Sequence, residues 1–69
     1  MMPKYISYSC ILVENGKPMF TGCGGGERLS IYRQIDSIVA SIHRSSYFGM
    51  LIVDYSYGGH EVYNIGQKL

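Results

Sequence analysis

The sequence predicts one α+β domain with the layout ββαββ: a four-stranded antiparallel sheet in the order 2-1-3-4, with a single helix packed on one face. Three observations carry this expectation. Asn15-Gly16 and Gly58-Gly59 are two-residue hairpin signals, each set between stretches of strand character. Between the hairpins, apolar residues recur at the period of a helix. The chain has 69 residues, which suffice for one hydrophobic core, so residues 1–69 are read as a single unit.

The first strand is expected over residues 6–14. Its alternation puts Ile6, Tyr8, Cys10 and Leu12 on one face and Ser7, Ser9, Ile11 and Val13 on the other. Asn15-Gly16 then supplies the two positive-φ positions of a type I′ turn, with Glu14 and Lys17 paired across it. The returning strand, residues 17–23, carries Pro18, which cannot donate to a ladder and marks a sheet edge. Counting from the turn places Leu12 opposite Met19, Ile11 opposite Phe20, Cys10 opposite Thr21 and Tyr8 opposite Cys23.

The run Gly22-Cys23-Gly24-Gly25-Gly26 is expected to end regular structure and lead into a helix over residues 27–45. Leu29, Tyr32, Ile35, Ile38, Val39 and Ile42 form its apolar stripe, and Arg33, Ser37, Ala40, Ser41 and Arg44 its outer face. Residues 47–57 read as a second long strand. Gly58-Gly59 turns the chain into residues 60–65, pairing Tyr57 with His60, Tyr55 with Val62 and Ile52 with Ile65. Residues 66–69 are expected to fray.

One helix covers one face of such a sheet. The covered face is expected to take Ile6, Tyr8, Leu12, Met19, Leu51, Val53 and Val62, although the sequence leaves open which face of the third strand meets the helix. Ile11, Val13, Phe20, Phe48, Met50, Ile52 and Ile65 then remain uncovered, with Asp54 and Glu61 near one end. An apolar patch of that kind marks an interface. Partner contact is therefore expected at Ile11, Phe20, Phe48, Met50 and Ile52. Arg33 and Arg44, three helical turns apart, add a mildly basic helix face.

Composition narrows the function class. The formal net charge is +1, which is neither the basic footprint of a general nucleic-acid binder nor an acidic tail. The longest apolar runs are the length of buried strands, far below a membrane span. Cys10 and Cys23 with no signal-peptide pattern point to a reducing cytoplasm. The compositional outlier is tyrosine, with seven residues, a type favoured both in strands and at interfaces.

Candidate chemistry is thin. The glycine run precedes a helix as a phosphate cradle would, but a P-loop needs Lys-Ser or Lys-Thr where Glu27-Arg28 stands. A dinucleotide fingerprint needs a third glycine at Glu27 and a parallel βαβ unit. Cys10, Cys23, His43 and His60 match no zinc spacing, so no metal and no cofactor is expected. The two cysteines read as small buried residues, diagonal neighbours on one sheet face. Asp36 and His43 share a helix face, and Asp54 is placed near Tyr63 and Glu61. Even so, one sheet and one helix rarely enclose the ~300 Å³ that a ligand site needs. No catalytic residue is expected.

In size and ββαββ layout the chain resembles the small inhibitors encoded by phages and mobile elements, notably anti-CRISPR proteins. The resemblance covers size and layout only and carries over no functional residue. It implies a non-enzymatic protein that binds a host defence complex and blocks its nucleic-acid binding or assembly. Two other readings stand beside it: a small nucleic-acid-binding module using Arg33, Arg44 or the tyrosines, and a homodimeric subunit joined through the uncovered sheet face.

Overall fold

A computed structural model of the chain describes residues 3–45, 47 and 49–65. Strand β1 (Tyr5–Glu14) and strand β2 (Lys17–Glu27) form the first hairpin, helix α1 (Arg28–Arg44) follows, and strands β3 (Gly49–Tyr55) and β4 (His60–Ile65) form the second. All neighbours are antiparallel in the order β2-β1-β3-β4. This is the expected α+β architecture.

The first turn is as its residues dictate: Asn15 and Gly16 have φ of 53° and 78°, and Glu14 pairs with Lys17. The expected register holds only as far as Val13 and Pro18. A bulge then shifts the ladder, so that Leu12 faces Phe20, Ile11 faces Thr21, Cys10 faces Gly22 and Ser9 faces Cys23. Pro18 has no N–H to give, and an extra residue beside it is where a ladder tolerates interruption. A one-residue slip moves every later side chain to the other face. Phe20 joins Cys10 and Leu12 on the helix side, and Cys23 lies across the sheet from Cys10. Both thiols are free; Cys10 is buried and Cys23 exposed.

The glycine run does not end the strand, which continues through it to Glu27. Gly24 lies opposite Tyr8, and a Cβ there would come within 2.9 Å of the Tyr8 ring. Tyr8 fills the space that a side chain on Gly24 would take, covering backbone that the strand leaves bare. This cross-strand cover lets glycine serve as edge strand. The helix therefore begins at Arg28, whose N–H donates to the Lys4 carbonyl at 2.8 Å.

Helix α1 buries Ile31, Ile35 and Ile42, with Tyr32, Ile38 and Val39 half-buried against the core. Leu29, expected in the stripe, is exposed, because Ile31 with Ile35, Ile38 and Ile42 sets the axis of the apolar face two residues away from it. Ser45 closes the helix, its hydroxyl and its N–H both donating to the Ile42 carbonyl.

Strand β3 is shorter than expected and starts at Gly49, where any Cβ would collide with the Val13 carbonyl. The second hairpin turns through residues 56–59, not through Gly58-Gly59 alone. Gly58 N–H donates to the Tyr55 carbonyl at 3.0 Å and Tyr55 N–H to the Gly59 carbonyl at 2.8 Å. Ser56 anchors the loop to β1: its N–H donates to the Ser7 carbonyl and its hydroxyl accepts from Ser7 N–H. The longer loop shifts the pairing by three, to Asp54 with His60, Ile52 with Val62 and Gly49 with Ile65. An odd shift exchanges faces, so Ile65 is 1% exposed in the core and Val62 is 50% exposed outside it, the reverse of expectation. Met19, also expected under the helix, is exposed.

The core between sheet and helix comprises Ile6, Tyr8, Cys10, Leu12, Leu51, Val53, Tyr55 and Ile65 against Ile31, Ile35 and Ile42. Each such large side chain contributes about 1.5–3 kcal/mol by leaving water. Residues 66–69, expected to fray, lie outside the described residues.

Candidate functional site

The helix covers one side of the sheet, and register decides what the other side shows. Ile11, Ile52 and Val62 lie in one cross-strand row, with Val13 and Met50 in a neighbouring row. Ile11, Val13 and Ile52 are half-buried by their neighbours, and Met50 is 43% exposed. Beyond them the row Cys23, Ser9, Asp54 and His60 turns polar. The expected contact residues Ile11, Met50 and Ile52 are thus brought together on the open face, joined by Val62, which the expected register had hidden.

The other expected contact residues are elsewhere. Phe20, 44% exposed, is on the helix side of the sheet. There it lines an apolar groove of about 290 Å³ with Leu12, Met19, Ile38, Ile42 and Tyr47. Phe48 lies outside the described residues. Arg33 and Arg44 are exposed on the outer face of α1, away from the open sheet. Asp54 does not approach Tyr63 and Glu61: it pairs with His60, while those two residues point to the opposite face.

The feature that periodicity alone could not show is a tyrosine cleft between α1 and the β3–β4 hairpin. Its lining is Tyr32 and Asp36 from the helix, Tyr55, Tyr57 and Gly59 around the turn, and His60, Glu61 and Tyr63 from β4, enclosing about 410 Å³. The rings of Tyr55 and Tyr57 stack at 5.2 Å with 5° between planes, and Tyr32 meets Tyr55 edge-on at 5.7 Å. Both arrangements are favoured by the ring quadrupole. The Tyr32 and Tyr57 hydroxyls are 3.1 Å apart and share a hydrogen bond. Tyr55 and Tyr63 both donate to Glu61 Oε1, at 2.9 and 3.0 Å.

These contacts hold Tyr55, Tyr57 and Tyr63 protonated. Burial, then the bond to Glu61, pushes Tyr55 and Tyr63 above the ordinary phenol value. The hydrogen bond to Tyr32, then burial, pushes Tyr57 up to about 12. Arg28 opposes this weakly at Tyr57, and Asp36 adds its negative field at Tyr63. The cleft therefore combines neutral phenol rings with the carboxyl groups of Asp36 and Glu61.

Among the described residues, no group of three or more His, Cys, Asp and Glu is placed to hold a metal ion. Burial raises the Cys10 thiol, which disfavours the reactive thiolate. No described helix is long and apolar enough to cross a membrane. Compared with protein-family models, curated proteins and solved structures, the chain gave no match.

Proposed function

We propose that this chain is a non-catalytic binding protein that docks a second protein on its open sheet face. The observation that carries the reading is the contiguous apolar surface of Ile11, Val13, Met50, Ile52 and Val62 on the side of the sheet opposite the helix. A surface of that kind rimmed by polar residues fits an interface. The described strand residues that alternate onto this face include no lysine or arginine. Of the strand tyrosines, Tyr8, Tyr55 and Tyr63 face the helix, and Tyr5, at the end of β1 with the Lys4 ammonium over its ring, is a single ring on this side rather than a platform for successive bases. Those two features favour an apolar protein surface over nucleic acid as the occupant.

The resemblance in size and layout to anti-CRISPR proteins gives the reading its concrete form: an inhibitor that covers a surface of a cytoplasmic host complex. Arg33 and Arg44, on the far side of the molecule, would not share that contact.

The test compares what tagged wild-type protein, Met50→Glu, Val62→Glu and Arg33→Glu retain from a bacterial lysate, with the solution mass of each. Met50 and Val62 are exposed enough for a carboxylate to stay hydrated, so the variants should fold. The expected result is a monomer whose retained protein is lost from both sheet variants and kept by Arg33→Glu. Burying a charge in place of an apolar side chain should weaken binding at least tenfold. A wild-type dimer dissociated by Met50→Glu would instead make the face a homodimer seam. Retention that survives both sheet variants would refute the docking face.

A further inference from the structure

We propose that the tyrosine cleft between α1 and the β3–β4 hairpin binds a guanidinium group, on Tyr57 and between the carboxylates of Asp36 and Glu61. This goes beyond the docking face, from which the cleft is separated by the sheet. Three features carry it.

The first is charge. Asp36 and Glu61 line the cleft and no lysine or arginine does; Arg28 acts on Tyr57 but is not part of the lining. Tyr55 and Tyr63 direct their protons at Glu61, so the cleft offers a guanidinium ring faces and carboxylate oxygens rather than opposing donors. The second is the state of Glu61. Its Oε1 accepts from both Tyr55 and Tyr63, which holds the carboxylate in place, while no described residue donates to Oε2. A carboxylate held by neutral donors, with one oxygen unengaged, is prepared for an incoming cation.

The third is shape. Tyr57 stacks on Tyr55 with its plane parallel to it, and its ring is half-buried. A guanidinium is planar, lies flat on an aromatic ring, and presents a fork of N–H donors to carboxylates. An ammonium is a strongly hydrated point charge and gains less from such a ring-and-carboxylate pair. A volume of about 410 Å³ is at the small end for ligand sites, suited to one side chain or a small metabolite.

The same chemistry is offered by an arginine side chain of a polypeptide and by a free alkylguanidine. Amide NMR of ¹⁵N-labelled protein, titrated with N-acetyl-arginine amide, tests the assignment directly. Saturable shifts are expected at Tyr32, Asp36, Tyr55, Tyr57, Gly59, Glu61 and Tyr63. N-acetyl-citrulline amide, the neutral isostere, should bind at least tenfold more weakly, and N-acetyl-lysine amide more weakly than the arginine probe.

Glu61→Gln keeps an acceptor for the two phenols, and Asp36→Asn lies on an exposed helix position, so each should fold; either should weaken the arginine probe at least fivefold. If Glu61→Gln is unfolded, Asp36→Asn and the citrulline comparison still decide. A tripeptide Ala-Arg-Ala that binds more tightly than agmatine assigns the group to a polypeptide, and the reverse assigns it to a metabolite. Citrulline or lysine probes binding as well as arginine, shifts centred elsewhere, or no saturable shift would overturn the proposal.

Discussion

Replacing Gly24 by alanine tests the least expected element, a glycine run that is strand. The new Cβ would stand 2.9 Å from Tyr8 Cε1, 3.3 Å from its hydroxyl and 3.4 Å from Gln34 Oε1. The first separation is closer than side-chain carbons pack, and Tyr8 is buried, so its ring cannot swing away without opening the core. Overpacking of this kind costs about 1–3 kcal/mol. The neighbouring Gly25 has the opposite prospect. Its Cβ would meet Ser7 and the Ile6 carbonyl at 3.5 Å, an ordinary contact on the open face. Gly25→Ala should therefore be neutral or gain up to about 1 kcal/mol by restricting the unfolded chain. For a domain of this size 1 kcal/mol moves Tm by roughly 4–8 °C. Gly24→Ala should thus melt several degrees below wild type in a thermal scan and unfold at lower urea, and Gly25→Ala should not. If the two variants were equally stable, residues 22–26 would be the loose connection that their composition implies, and the packing of Tyr8 over Gly24 would be wrong.

The second hairpin and the cleft give two further tests. Ile65→Ala should cost about 2–5 kcal/mol and Val62→Ala well under 1 kcal/mol in urea denaturation, and the reverse order would refute the register of β4. Because Tyr55, Tyr57 and Tyr63 hold their protons more tightly folded than unfolded, their stabilisation is complete below the ordinary phenol value of 10. It is then lost as pH rises through the folded values, about 12 for Tyr57. Tm measured from about pH 8 to 12 should fall from near pH 10 upward, and less steeply in Glu61→Gln. A Glu61→Gln profile identical to wild type would show that the carboxylate does not govern these phenols.

Much of the fold was legible because local rules sufficed for it. Asn15-Gly16 forces a tight turn through its own backbone preferences, and the alternation of residues 6–13 agrees with that turn. The isoleucines of α1 repeat at the helical period whatever they pack against. With two apolar strands to place at the centre, the order 2-1-3-4 follows. On the open face, Ile11 follows from the alternation of β1, whereas Met50 and Ile52 lie there because pairing with β1 decides a face that the pattern of β3 leaves open.

What failed was register, which local pattern determines only as far as the nearest turn. The bulge beside Pro18 and the four-residue loop at 56–59 each shift a strand by an odd number. That sends Phe20 and Ile65 to the helix side and leaves Val62 outside. Neither shift is encoded by alternation: β2 carries glycine at alternate positions, and β4 has apolar residues on both faces.

The cleft was legible still less. Tyrosine was conspicuous in the composition, but Tyr32, Tyr55, Tyr57 and Tyr63 come from a helix, a strand, a turn and another strand. Only the packing of α1 across the β3–β4 hairpin brings them to one cleft, where Tyr55 and Tyr63 meet Glu61 and Tyr32 meets Tyr57. The sequence alone determined the class, order and central strands of this protein, because those follow from turn chemistry and periodicity within each segment. The tertiary structure decided which residues face outward and which meet in the cleft, because a side chain's face depends on pairing with a distant strand.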